Sequence, residues 1–118
     1  MLNKKDIGIL LQIIKRCTRI NDKIENIDLY SFSTNNDLQE IICFNMFQIG
    51  EMANGLSFDF LKTNTLILWK HIIGLRNRIV HGYDTINLSI IWNTVKENIL
   101  ELKMYCEEIF KKSVSSLK

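Results

Sequence analysis

The chain has 118 residues, of which 47% are hydrophobic and 24% charged, with a net charge of +2 and no proline. Such a length suits one compact domain with a real core, and the composition excludes a disordered chain. A charge this close to zero excludes a strongly basic nucleic-acid coat, so any nucleic-acid contact has to be local, and the lack of proline permits long helices throughout.

Ile7, Leu10, Leu11, Ile14, Cys17 and Thr18 recur at helical spacing, which predicts a first helix over about residues 4 to 22. Lys4, Lys5 and Asp6 open it, and Gln12, Lys15 and Arg16 interrupt its apolar positions. That pattern is neither a signal peptide nor a membrane span. The stretch from Glu25 to Asn36 is polar and reads as a loop, with room for a short helical turn at its start.

A second helix is expected to begin near Asn36 as its cap, with Gln39 in the capping-box position. Leu38, Ile41, Ile42, Ile49, Met52, Ala53 and Leu56 form one stripe, and Cys43, Phe44, Met46 and Phe47 widen it beyond one face. A helix this apolar has to be covered on two sides, which hints at a partner chain. Asn45 lies within the stripe. It is either a core amide bonded to a neighbour or a polar group near an interface or site. Gly50 suggests close approach of another backbone, and Gly55 ends the helix.

Ser57 to Lys62 reads as a connector packed on the core. Asn64 or Thr65 can cap a third helix carrying Trp69, a core aromatic, and Gly74, a second candidate for a tight crossing. His71 reads as an ordinary flank residue. After the turn at Asp84–Asn87, a fourth helix is expected to reach about Lys112, with Leu88, Ile91, Trp92, Val95, Ile99, Leu102, Cys106 and Ile109 as its stripe and a fraying end from Ser113. No strand-like alternation occurs. The expected fold is all-α: one domain over the whole chain, an antiparallel four-helix bundle.

Cys17, Cys43 and Cys106 are odd in number and lack C-x-x-C spacing. They read as small buried groups in a reducing, cytoplasmic setting. The two histidines and the scattered carboxylates show no metal-ligand spacing, so no metal or other cofactor is expected.

The chemistry concentrates in Arg76-Asn77-Arg78-Ile79-Val80-His81-Gly82-Tyr83. Arginine grips phosphate with a forked pair of donors, histidine moves protons near neutral pH, and tyrosine adds a hydroxyl. Asn77 and His81 are one turn apart on a helix. Arg76 and His81 lie roughly 140° apart around the axis at about 100° per residue, so one intact helix does not aim both at the same atom. Either the helix unwinds toward Gly82 or a second chain completes the site.

The pattern Arg-x4-His-x-Tyr formed by Arg76, His81 and Tyr83 resembles the HEPN domains, and among them the HepT-like toxins. The likeness extends through Ile49-Gly50-Glu51, Trp69 to Asn77, and Trp92 to Glu97, and covers roughly residues 45 to 110. It implies a helical homodimer with both motifs facing one cleft, and a metal-independent ribonuclease in which Arg76 and His81 are catalytic and Asn77 is a positioning residue. It also implies a toxin–antitoxin pair, whose partner is a minimal nucleotidyltransferase antitoxin that inactivates the toxin by attaching AMP to Tyr83. The substrate is then RNA, and no membrane is involved. The alternative is a non-catalytic dimeric HEPN module that regulates a nucleotidyltransferase. Arg78 lies outside the core signature, and its role stays open.

Overall fold

The computed structural model describes residues 3–65, 67, 69–74 and 87–115. Among them helices are the only regular elements, so the all-α expectation holds.

Helix α1 spans Lys4–Ile24, two residues longer than the periodicity suggests. Asn3 caps it, its side chain accepting from the Asp6 amide at 2.7 Å. Leu10, Ile13, Cys17 and Ile20 are fully buried along one face. The helix stops where Asn26 takes a left-handed φ of 62°, a conformation that asparagine tolerates better than most residues.

The segment read as a loop contains α2, Leu29–Ser33. Its polar residues hide it from a periodicity search because they are caps: Asp28 accepts from the Ser31 amide at 2.8 Å. That hydrogen bond also holds the Asp28 carboxyl below its usual pKa. The short helix delivers Phe32, fully buried, against Trp92 with ring centroids 5.3 Å apart.

Helix α3 spans Asn36–Asn54. Its cap is Asn35, not Asn36, with the Asn35 Oδ1 accepting from the Leu38 amide at 3.0 Å. Gln39 is therefore one residue too late for a capping box. It reaches back instead, and its Nε2 donates to the carbonyls of Phe32 at 2.9 Å and Ser33 at 3.1 Å, which docks α2. The second side of α3 is covered largely within the chain: Cys43 and Met46 are buried, and Phe44 is the residue left 53% exposed. Gly50 is buried and Gly55 ends the helix, in right-handed rather than left-handed geometry.

The expected connector is itself helical, as α4, Phe58–Thr63. Asn64 does not open the next helix. It closes α4, its Nδ2 donating to the Phe60 carbonyl at 3.0 Å, and the following helix is present over residues 69–74. Among the described residues a Cβ on Gly74 would meet nothing within 4 Å.

After the Asn87 cap come α5 (Leu88–Asn93), a π-helical turn (Thr94–Asn98) and α6 (Ile99–Ser115). The turn is wider because the Ile99 amide donates to the Thr94 carbonyl, five residues back. The Thr94 hydroxyl bonds the Ile90 carbonyl at 2.8 Å just before it, a contact that bends helices. Helix α1 lies between α3 and α6. It runs antiparallel to α3, so Asp6 meets Ser57 and Arg16 meets Asn45.

Candidate functional site

The approach to the Arg76–Tyr83 motif is built from the core outward. Phe60 on α4 and Trp69 meet edge to face with centroids 5.6 Å apart. The Trp69 Nε1 donates to the Asn64 carbonyl at 2.9 Å. Trp69 is 6% and Ile72 8% exposed. A buried indole with its N–H satisfied is a rigid anchor, and Trp69 is accordingly a core aromatic. Lys70 and His71 point outward and are exposed.

Beyond the motif, Asn87 caps α5 through the Ser89 amide at 2.8 Å. Ile91 and Trp92 are buried there, and the Lys96 ammonium lies 5.6 Å from the Trp92 ring centroid. Both flanks of the motif are thus fixed by a tryptophan packed on a phenylalanine. The proposed site residues Arg76, Asn77, His81 and Tyr83, together with Arg78 and Gly82, lie outside the described residues.

A second constellation was half legible in the sequence. Asn45 is 1% exposed. Its Nδ2 donates to the Ile41 carbonyl at 2.8 Å and its Oδ1 accepts from Arg16 Nη1 at 3.2 Å. The core reading of Asn45 therefore holds, but the amide also forms the floor of a groove of about 720 Å³ between α1 and α3. The Arg16 guanidinium lies 5.6 Å from the Phe44 ring centroid. Lys15 and Arg19 extend the α1 wall, and Asp37 and Glu40 stand on the α3 wall. Sequence reading found Asn45 but missed its partner, because the pairing crosses 29 residues.

All three cysteines are buried and free. Burial raises the thiol of Cys43 to about 11 and that of Cys106 to about 12, and raises Cys17 further still, with Cys106 adding to the effect. Thiols held protonated are poor nucleophiles and poor ligands. Among the described residues no group of three or more His, Cys, Asp or Glu could hold a metal ion, and no helix is long and apolar enough to cross a membrane.

Several known proteins are similar to the chain. "Putative RNase TTE0752" of Caldanaerobacter subterraneus subsp. tengcongensis is 28% identical over 103 residues, covering 87% of this chain and 92% of the relative. "Putative RNase MJ1380" of Methanocaldococcus jannaschii is 26% identical over 107 residues, covering 90% and 98%. "Probable ribonuclease HepT" of Thermococcus cleftensis is 32% identical over 63 residues, covering 53% and 57%. No solved structure matches the chain. The model of the family described as "Ribonuclease HepT-like" matches residues 13–109, and a match over so much of the sequence means that the chain belongs to the HepT-like ribonuclease family.

Proposed function

We propose that this protein is a cytoplasmic, metal-independent endoribonuclease, the toxin of a toxin–antitoxin pair. The observation that carries the reading is the family match over residues 13–109, a span that contains the whole Arg76–Tyr83 motif. The relatives' names, which specify RNases, point the same way.

The whole chain acts as one domain, a four-helix bundle, and two copies pair so that their motifs share a cleft. The substrate's own 2′-hydroxyl is the nucleophile. It attacks the adjacent phosphorus, the bond from phosphorus to the 5′-oxygen breaks, and the products end in a 2′,3′-cyclic phosphate and a 5′-hydroxyl. His81 takes the proton from the 2′-hydroxyl or delivers one to the leaving oxygen, an effect worth roughly 10²–10⁴-fold for a well-placed group. The two histidines of a paired site suffice for both transfers. Arg76 stabilises the charge that builds on the phosphate oxygens. Asn77, one turn before His81, orients the imidazole or the substrate. Tyr83 is the residue to which a minimal nucleotidyltransferase antitoxin attaches AMP, and the added anionic bulk keeps RNA out.

Purified protein is expected to cleave RNA in EDTA. His81→Ala is expected to abolish cleavage with the helical circular-dichroism signal intact. Undiminished cleavage by that variant removes His81 from the chemistry. RNA binding without cleavage by the wild-type chain supports the non-catalytic module instead.

A further inference from the structure

We propose that the groove between α1 and α3 binds a guanosine nucleotide, free or within single-stranded RNA. The inference is independent of the cleavage mechanism above. The groove, at about 720 Å³, falls within the range of roughly 300–1,000 Å³ common for small-molecule sites. Its walls carry opposite charges: Lys15, Arg16 and Arg19 on α1, Asp37 and Glu40 on α3. No ion pair joins these walls among the described residues. Walls of opposite sign suit a ligand that brings both an anion and a row of donors.

A guanosine nucleotide has that chemistry. Its phosphate matches the α1 cations. Its N1–H and exocyclic amine lie side by side, and one carboxylate of Asp37 or Glu40 accepts both. Between the walls, Phe44 remains 53% exposed with Arg16 against it. An exposed ring beside a guanidinium is a platform on which a base stacks.

Arg16 is held ready rather than locked. Its Nη1 donates to Asn45, while its Nε is buried and has no hydrogen-bond partner among the described residues. A guanidinium that swings toward a phosphate gives up one hydrogen bond to a neutral amide. In return it gains a forked, charge-assisted pair.

Nuclear magnetic resonance titration of the full chain tests this with GMP, UMP and inorganic phosphate. A guanosine-containing 2′-O-methyl oligonucleotide, which no 2′-hydroxyl attack can cleave, separates the polymer from the free nucleotide. GMP or the oligonucleotide is expected to shift α1 and α3 amides saturably, and Phe44→Ala to weaken that binding about 10-fold or more. Phe44 is largely exposed, so the variant keeps its fold. Asp37→Asn combined with Glu40→Gln is expected to erase the preference for GMP over UMP. Shifts with the oligonucleotide alone place the ligand in RNA, and shifts with GMP as well admit the free nucleotide; both support the proposal. No shift at α1 and α3 with either overturns it. Equal affinity for GMP, UMP and phosphate overturns it too.

Discussion

Asp6 and Ser57, 51 residues apart, are joined by two hydrogen bonds: the Ser57 amide donates to one carboxylate oxygen at 2.9 Å and its hydroxyl to the other at 2.6 Å. The same hydroxyl oxygen accepts from the Phe60 amide at 3.1 Å and so caps α4. One carboxylate, 2% exposed, thereby fastens the start of α1 to the helix that carries Phe60 and, through Phe60, to Trp69.

Asp6→Ala strands two donors in a buried place and loosens the α4 cap. The expected cost is about 1–3 kcal/mol, read as a lower urea midpoint at unchanged slope. Asp6→Asn keeps an acceptor and should fall between. An unchanged midpoint for the alanine variant counts against the brace.

Trp69→Phe keeps the aromatic contact with Phe60 and removes the donor to the Asn64 carbonyl. About 1 kcal/mol of stability should go with that bond, whereas Trp69→Ala should cost about 3–5 kcal/mol. Because Trp69 anchors the approach to the motif, RNA cleavage by Trp69→Phe should drop at temperatures where the fold persists. Wild-type turnover in that variant makes the anchor irrelevant to the site.

Burial raises the thiols of Cys43 and Cys106 from 9.0 to about 11 and about 12. A group whose folded pKa is raised binds its proton more tightly in the native state, so its contribution is whole below the unfolded value and fades above it. Stability should therefore be unaffected by the cysteines below pH 9 and decline between about pH 9 and 12. Cys43→Ala combined with Cys106→Ala should flatten that decline in a pH series of urea melts. A thiol reagent at pH 8 should label the native protein only as fast as it opens, and rapid stoichiometric labelling contradicts the burial.

For Tyr83, co-expression with a neighbouring nucleotidyltransferase should add the mass of one or more AMP units and silence cleavage. Tyr83→Phe should remain unmodified and active. Equal modification of that variant moves the target elsewhere.

What the sequence revealed follows from the range of the forces involved. The 3.6-residue periodicity exposed α1, α3 and the stripe of the C-terminal helix, because burial of one face is written locally. Asn36, Asn64 and Gln39 misled because several polar residues compete for the same unsatisfied helix ends, and packing decides among them. Helix α2 is too short for a period, and only its cap and Phe32 mark it. The motif stands out by its residue types alone, and its residues lie outside the described ones. The pairing of Arg16 with Asn45, and of Asp6 with Ser57, required the antiparallel approach of two helices, which no local pattern encodes.

The π-helical turn at Thr94–Asn98 bears on how relatives of different length are compared. Such a turn holds one residue more than the ordinary helix needs. A homologue shorter by one there would carry an unbroken α-helix with the same residues facing inward on both sides. Alignment gaps of one position should gather at this turn. Removing Glu97 should be tolerated, while removing Glu108 from the regular helix should rotate everything after it out of phase.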